Sequence, residues 1–299
     1  HKSFAKGLPC CFFFLVVSND RSTRAFWGNE SIPTTWGTTM KTSITAWLGS
    51  MLLAIFASPA TLADDHMLNG MAVSQPFNVQ ANLCKLNPGV TLDEYDALVE
   101  DYFDWAEKYD VEPVSVRQFP LFSHRNLERP WPYDFVEFLA SDYESWGKSW
   151  DLWLTSEDGI ALNERWQSLA VCHVKQAHGQ VLYADTEALE NDDERYVSWN
   201  WCTAKVGFEQ LSQKHAEYVA QISENPSGLI GWALMFPHTG AADAPGDFAH
   251  LAIYPDLESF MARRAMDAKG GWRGLREYYQ NYADCTGEQL NTETVLHRP

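Results

Sequence analysis

The sequence predicts an α+β fold built from two tandem copies of one β-α-β-β-α-β unit. Three observations support this prediction: the spacing of four cysteines, a stretch of text repeated in fixed register, and the same order of strand-like and helix-like segments in each half. Cys84 and Cys172 are 88 residues apart, and Cys202 and Cys285 are 83 residues apart. A repeat of this kind has to be recognised before single elements are assigned, because it determines the architecture.

The repeated text lies just before the second cysteine of each half. From Asp134 to Cys172 is 38 residues, and from Asp247 to Cys285 is also 38. The segments ALNERWQSLAVC (161–172) and GLREYYQNYADC (274–285) share a leucine, a glutamate, a glutamine and an alanine in one register, with Trp166 opposite Tyr279. We interpret this as a tandem duplication with halves at 75–184 and 195–296. An acidic linker at 185–194, which we expect to break helices in its centre, joins them.

Each element of the first half follows from its pattern. FNVQANLCKL alternates like a strand, and the helix TLDEYDALVEDYFDWAEKY places apolar residues at helical spacing behind a capping box of Thr91 and Glu94. Two strands follow, VSVRQFPLF and DFVEFLA, around a proline-rich loop. A helical region from about Asp142 to Leu169, broken near Asp158-Gly159, leads into a last strand near Val171.

The second half repeats this order. Its segments are YVSWNWCTAK, FEQLSQKHAEYVAQI, LIGWALMF, DFAHLAIY, LESFMARRAMDAKG with GLREYYQNY, and a strand from Cys285. The β-α-β-β-α-β order is the ferredoxin-like pattern. Two such sheets with apolar faces can cover each other by packing sheet to sheet, which closes a barrel with its helices outside.

In this arrangement the chain resembles the dimeric α/β-barrel superfamily, in a tandem single-chain form that covers nearly all of residues 64–299. The resemblance rests on topology and length, without a signature motif, so it implies a fold and not a reaction. Members include cofactor-independent monooxygenases, isomerases and cyclases, some haem enzymes, and proteins without known activity.

The resemblance implies a role for the cysteines. In that topology the strand order is 4-1-3-2, so the first and last strands of each half are antiparallel neighbours. We therefore expect disulfides Cys84–Cys172 and Cys202–Cys285, although four cysteines permit three pairings. The alternative is a metal site, which Cys172-His173 and His178 hint at, but no CxxC or HxxxH spacing accompanies the thiols. We predict no metal and no cofactor.

The first 63 residues have a different character. Residues 1–39 contain no methionine and are interpreted as upstream translation that is not native to the protein. From Met40 to Ala63, one lysine, an apolar run of about 13 residues and small residues form a signal peptide with cleavage after Ala60 or Ala63. The apolar run is short for a transmembrane helix, which needs roughly 20 residues. We expect a periplasmic or secreted protein without a membrane span in its mature chain.

Charge narrows the range of partners. The chain has a net charge of −18, and residues 1–63 hold five Lys/Arg and two Asp/Glu, which leaves 17 basic and 38 acidic residues, about −21, on the remainder. An acidic surface repels phosphate backbones, so we expect no nucleic-acid partner. The sequence does not determine an oligomeric state.

Candidate site residues come from the alternation within two equivalent strands. Val136, Phe138 and Ala140, and likewise Ala249, Leu251 and Ile253, are wholly apolar and are expected to face the helices. The opposite set then points into the barrel: Phe135, Glu137, Leu139, Phe248, His250, Ala252 and Tyr254. Glu137 and His250 occupy equivalent positions and can form an acid/base pair in one cavity. The alternatives are a local hydrogen bond for each, or an inverted assignment of the faces.

Further candidates are ligand-binding residues. His124 and His238 end equivalent strands and are expected at the barrel mouth, and Arg117 can pair with a ligand carboxylate. Phe135, Phe248 and Tyr254 are expected to line the lumen. Trp146, Trp150 and Trp153 follow helical spacing and are expected in the core, whereas Trp199, Trp201 and Trp232 would suit an aromatic ligand.

Three functions remain open at this point. The first is an exported protein that binds a small apolar or aromatic molecule in its lumen. The second is a cofactor-independent monooxygenase or isomerase that uses Glu137 and His250 as acid and base. The third is a structural or interaction module without a cavity. Whether the protein is an enzyme is left undecided by the sequence.

Overall fold

A computed structural model describes residues 67–68, 71–72, 75–125, 128 and 131–299 of the chain. The predicted upstream segment 1–39 and signal peptide 40–63 lie outside these residues. Within the described ranges, no helix combines the length and the apolar character needed to cross a membrane.

The first half contains four strands and three helices in the predicted order. A two-stranded hairpin, β1 (Met67–Leu68) and β2 (Met71–Ala72), precedes it. The elements are β3 (Phe77–Leu86), α1 (Leu92–Tyr109), β4 (Val114–Phe122), β5 (Phe135–Ser141), α2 (Tyr143–Thr155), α3 (Glu157–Leu169) and β6 (Ala170–Ala184). The capping box of Thr91 and Glu94 begins α1 as predicted.

The second half follows the same order of elements. It consists of β7 (Glu194–Ala204), α5 (Phe208–Glu224), β8 (Gly231–Pro237), β9 (Phe248–Tyr254), α6 (Leu257–Met266), a π-helical segment (Asp267–Gly271), α7 (Trp272–Asn281) and β10 (Ala283–His297). Between the halves lies α4 (Thr186–Asn191), capped by the Asp185 side chain. The expectation of a helix-breaking linker centre was wrong, because Leu189 is buried and holds this turn against the protein.

Eight strands form one closed antiparallel barrel with the order β10-β4-β5-β3-β6-β8-β9-β7. Each half contributes four neighbouring strands, β4-β5-β3-β6 and β8-β9-β7-β10. The barrel closes where β6 pairs with β8 and where β10 pairs with β4. The predicted α+β barrel is therefore confirmed. Closure leaves none of these eight strands with an unpaired edge.

Both expected disulfides are present. Cys84 and Cys172 are directly opposite each other on the neighbouring strands β3 and β6, and Cys202 and Cys285 are opposite each other on β7 and β10. Each bridge therefore ties the first strand of a half to its last strand, and the predicted pairing is confirmed.

The predicted assignment of the strand faces was wrong. The barrel interior is filled by a hydrophobic cluster from both halves, and the wholly apolar sets of β5 and β9 point into it. Its members are Phe77, Val79, Phe138, Ala140, Ala177, Val197, Trp199, Trp201, Met235, Ala249, Leu251 and Ile253. The mixed sets, with Glu137 and His250, face the helices instead. The interior is not wholly apolar, because Trp199 Nε1 donates to Gln118 Oε1 over 2.8 Å and Gln118 Nε2 donates to Glu293, which forms an ion pair with Arg195. Polar residues are therefore buried on both faces of the strands, with hydrogen-bond partners on each.

Candidate functional site

Two cavities lie between the barrel and its helices, one in each half. The first-half cavity, under α1, α2 and α3, has a volume of about 240 Å³, and the second-half cavity, under α5, α6 and α7, has a volume of about 370 Å³. Both cavities lie on the helix side of the strands and not in the lumen, where the ligand site was expected. The same cavities also argue against a module without any cavity.

The second-half cavity has aromatic walls with a few polar groups. Five aromatic residues, from strands β8 and β9 and helices α5 and α7, line it: Tyr218, Trp232, Tyr254, Tyr278 and Tyr279. Its volume lies within the range of roughly 300–1,000 Å³ that is typical of small-molecule pockets. His250 is the one ionisable side chain of the predicted acid/base pair that reaches it.

A chain of hydrogen bonds runs from this cavity into the helix layer. Trp232 Nε1 donates to His250 Nδ1 over 3.2 Å, His250 Nε2 lies 3.0 Å from the Tyr278 hydroxyl oxygen, and that oxygen lies 2.8 Å from His215 Nε2. Because Nδ1 of His250 accepts a bond, its proton is on Nε2 and is donated to Tyr278. The Tyr278 hydroxyl then donates to His215 Nε2, so all three hydrogen bonds point from Trp232 toward His215.

Both histidines are uncharged at neutral pH. Burial lowers the pKa of His215 to about 4. Burial, assisted by the nearby His215, lowers the pKa of His250 to about 3. His215 is 2% exposed, between the strands and α7. The polar end of the cavity is therefore a neutral donor–acceptor network and not a cationic one.

Cationic groups lie on the α6 side of the same cavity. Arg264 forms ion pairs with Glu288 at 2.9 Å and with Asp267 at 3.4 Å, yet its buried Nε has no hydrogen-bond partner among the described residues. Arg263 also lines the cavity and forms no ion pair in the part of the chain that the structure describes. One cation is thus balanced by carboxylates, whereas the other is available to a bound anion.

Glu137 belongs to a separate buried network in the first half. Its Oε1 accepts bonds from Arg117 Nε at 3.0 Å and Nη2 at 2.9 Å, and its Oε2 accepts one from the Tyr95 hydroxyl at 2.8 Å. Arg117 also pairs with Asp96 at 2.6 Å. Burial raises the pKa of Glu137, and Arg117 and Tyr95 oppose that shift. We expected Arg117 to pair with a ligand carboxylate, but its guanidinium group is already paired with Glu137 and Asp96.

The expected acid/base pair is not brought together. Glu137 is on β5 and His250 is on β9, which are four strands apart in an eight-stranded barrel, and both side chains point outward to different helices. Each is satisfied by local hydrogen bonds, which was the alternative reading of the sequence. A cavity shared by these two residues is excluded by this geometry.

The remaining predicted ligand residues have separate surroundings. Phe135 packs edge-on to Tyr95, and Phe248 packs edge-on to His215, so both are buried under helices and not in the lumen. Tyr254 also faces outward, but it does line the second-half cavity. Of the predicted ligand residues, Tyr254 therefore remains a candidate for contact.

The two loop histidines are exposed and far apart. His124 Nε2 lies 3.1 Å from the carbonyl oxygen of Gly287, and His238 stacks on His178 with ring centroids 4.3 Å apart. Both follow strands that end at the same end of the barrel, but β4 and β8 are on opposite sides of it. Neither histidine lines either cavity. Among the described residues no group of three or more His, Cys, Asp or Glu side chains could hold a metal ion.

Sequence reasoning missed His215 and Tyr278. A signal for His215 was present, because it shares the buried face of α5 with Leu211 and Ile222, where a polar residue needs a partner. Tyr278 lies within the repeated sequence segment, next to Tyr279, but the sequence does not show which of the two rings points toward the strands.

The barrel topology confirms the resemblance to the dimeric α/β-barrel superfamily at the level of fold. A provisionally assigned monooxygenase from Fusobacterium nucleatum subsp. nucleatum is similar over 74% of this chain and 93% of its own, at 15% identity and a TM-score of 0.42. An anthrone oxidase-like protein is similar over 76% and 94%, at 11% identity and a TM-score of 0.46.

A mutant chlorite dismutase from Candidatus Nitrospira defluvii is similar over 73% of this chain and 91% of its own, at 9% identity and a TM-score of 0.40. No family model matches the chain, and no curated protein matches it. These likenesses concern fold alone, so the function has to be argued from the residues of this chain.

Proposed function

We propose that the protein binds a small aromatic molecule with an anionic group in its second-half cavity. The observation that carries this proposal is the 370 Å³ cavity with five aromatic residues in its wall. Aromatic walls favour a flat, polarisable ligand, since ring–ring contacts add to the burial of apolar area. Arg263, which has no ion pair within the described ranges, supplies the countercharge for an anion.

The state of His250 favours binding over catalysis. Both of its ring nitrogens are occupied, Nδ1 by the Trp232 indole and Nε2 by the Tyr278 hydroxyl. A general base needs a free lone pair within reach of its substrate and a pKa near the working pH. A pKa of about 3 is far below that, so His250 serves to hold the Trp232 indole and the Tyr278 hydroxyl in place at the cavity wall.

A catalytic role is the second candidate, and the directed hydrogen-bond chain favours it. In such a step the Tyr278 oxygen would take a proton from the bound molecule while the Tyr278 hydroxyl proton passes to His215 Nε2, 2.8 Å away, leaving the bound molecule as an anion and His215 protonated. Turnover that depends on Tyr278 and follows a histidine titration would distinguish this candidate from binding alone.

Export and duplication are further parts of the proposal. Disulfides persist in oxidising compartments, so the two bridges support a periplasmic or secreted location. The equal element order, equal strand order and equivalent bridges of the two halves support a tandem duplication. Mass spectrometry of the exported chain tests cleavage after Ala60 or Ala63, and an intact residue 40–63 segment on the exported protein would contradict it.

The binding proposal is tested by isothermal calorimetry with 1-naphthoate as the probe. Gly274 lines the cavity, and a Cβ atom added there meets nothing within 4 Å. Gly274→Phe should therefore place its ring in the cavity and abolish binding. Gly147→Phe, which adds the same side chain to α2 where a Cβ also meets nothing within 4 Å, should bind normally.

A second arm tests the anionic group. Arg263→Gln should weaken 1-naphthoate by roughly tenfold, which corresponds to about 1.4 kcal/mol, and should leave 1-naphthalenemethanol unaffected. If Gly274→Phe folds and still binds the probe, the second-half cavity is not the site. If cyclohexanecarboxylate binds as tightly as 1-naphthoate, the aromatic walls do not select the ligand.

A further inference from the structure

We infer that the first-half cavity is a separate site for a small, uncharged molecule rich in hydroxyl groups, such as a monosaccharide. This cavity of about 240 Å³ is smaller than the pockets of roughly 300–1,000 Å³ that hold drug-sized ligands, so it suits a single ring. This cavity lies in the other half of the barrel from the proposed binding site, so the two sites are independent.

Charge is the first argument for this ligand class. Among the described residues that line the cavity there is no Asp, Glu, Lys, Arg or His. The polar lining consists of amides and hydroxyls: Gln80, Asn82, Ser141, Ser149, Asn163 and Gln167. Amides and hydroxyls both donate and accept hydrogen bonds, which matches the mixed character of a sugar hydroxyl. An anion or a cation would find no countercharge among these groups.

The tryptophan stripe supplies the apolar part of the site. Trp146, Trp150, Trp153 and Trp166 line the cavity together with Tyr102. Trp146 and Trp150 have ring centroids 6.2 Å apart, and Trp153 and Trp166 have theirs 6.1 Å apart. Flat indole faces can stack on the C–H face of a sugar ring while its hydroxyls turn toward the amides.

The indoles are held in place before any ligand arrives. The Nε1 atoms of Trp146 and Trp150 both donate to Gln80 Oε1, at 3.2 Å and 2.7 Å, and Gln80 is 8% exposed. Gln80 in turn donates from Nε2 to Asn82 Oδ1 over 3.0 Å. A network fixed in this way lowers the entropy cost of ordering side chains when a ligand binds.

Asn82 points to the group that the ligand has to offer. It is 5% exposed, it lines the cavity, and its amide nitrogen has no hydrogen-bond partner among the residues described. This nitrogen is open to the cavity, so a ligand oxygen that accepts a hydrogen bond from it would contribute about 0.5–1.5 kcal/mol to binding. A quaternary ammonium ion fits aromatic walls but accepts no hydrogen bond, and it would leave this donor unsatisfied.

The test is saturation-transfer NMR and calorimetry on the full exported chain, with D-glucose, D-galactose and D-mannose as probes. Choline is tested alongside them as a representative of the alternative ligand class, quaternary ammonium ions. We expect at least one monosaccharide to bind saturably. Asn82→Leu should weaken that binding by roughly tenfold or more. Because Asn82→Leu removes a buried amide and can impair folding, Gln167→Ala on the exposed face of α3 is the second variant, with several-fold weaker binding expected.

Gln213→Leu, an exposed change on α5 of the other half, is the matched control and should bind as the unchanged protein does. Binding of choline without any monosaccharide would overturn the inference in favour of an aromatic cage for cations. Absence of binding by every sugar up to its solubility, or binding that folded Asn82→Leu and Gln167→Ala leave unchanged, would overturn it as well.

Discussion

His250 Nε2 lies 3.0 Å from the hydroxyl oxygen of Tyr278, and the same hydroxyl lies 2.8 Å from His215 Nε2. One tyrosine on α7 thus joins a strand histidine to a histidine of another helix. This connection lies at the polar end of the second-half cavity and joins β9, α5 and α7 through one hydroxyl group.

Tyr278→Phe should destabilise the protein by about 1–3 kcal/mol, because it leaves a buried donor of His250 and a buried acceptor of His215 without partners. Chemical denaturation followed by circular dichroism measures the effect. Tyr282→Phe is the matched control. The Tyr282 ring stacks on Tyr278, but the Tyr282 hydroxyl is not one of the groups that link His250, Tyr278 and His215. Equal stability of the two variants would contradict the network.

His215, which is buried, and His250, which is partly buried, should make the protein less stable as the pH falls below about 6.5. Their pKa values of about 4 and 3 in the folded protein lie below the ordinary value of 6.5. The unfolded chain therefore binds protons first, and the free energy of unfolding decreases between pH 6.5 and pH 4 by up to about 1.4 kcal/mol per pH unit for each histidine.

Denaturation of the unchanged protein and of His215→Gln at pH 7.5, 6 and 5 separates this effect from the titration of carboxylates. The variant should show a smaller slope than the unchanged protein, whereas the exposed substitution His173→Gln should keep the full slope. Identical slopes for all three proteins would show that His215 is not held neutral by burial.

Glu137→Gln should destabilise the protein by about 1–3 kcal/mol, because the neutral amide no longer balances the charge of the buried Arg117, which keeps only its ion pair with Asp96. It should not change the affinity for 1-naphthoate, since Glu137 is outside the second-half cavity. The double variant Arg117→Met/Glu137→Leu should recover much of the loss, since it removes both buried charges. A large loss of binding in folded Glu137→Gln would instead connect this residue to the site.

The packed lumen predicts a specific steric effect at Gly179. A Cβ atom there would lie 2.4 Å from the ring of Phe77, which points into the interior. Gly179→Ala should therefore cost about 1–3 kcal/mol of stability, and Phe77→Leu in the same chain should relieve part of it. Gly147→Ala in α2 meets nothing within 4 Å and should be neutral or stabilising. An unaffected Gly179→Ala would indicate free space in the lumen.

Removal of either disulfide should cost a similar amount of stability. The loops closed by Cys84–Cys172 and Cys202–Cys285 span 88 and 83 residues, and loops of this length contribute about 4 kcal/mol in the chain-entropy description. Paired serine variants of each bridge, compared by urea denaturation, measure this. Four reactive thiols in the unfolded, unreduced chain that lacks residues 1–63 would contradict both bridges.

The sequence alone determined the order of elements and the partners of the cysteines. Hydrophobic periodicity and capping are local properties, so β3, α1 and the strands of both halves could be read with boundaries close to those of the structure. Cys84 and Cys172 could be paired because a known strand order makes β3 and β6 neighbours. The short helix α4 was not predicted, because it is stabilised by the burial of Leu189 and not by the helix propensity of its acidic sequence.

Only the tertiary structure decided which face of each strand points inward. In a closed barrel covered by helices both faces of a strand are buried, so apolar alternation does not distinguish lumen from helix layer. Glu137 lies on the outer face, where it accepts hydrogen bonds from Tyr95 and Arg117. His250 lies on the outer face as well, where it bonds to Tyr278. Those partners are far away in the sequence, and the two cavities exist only where helices, strands and their side chains meet.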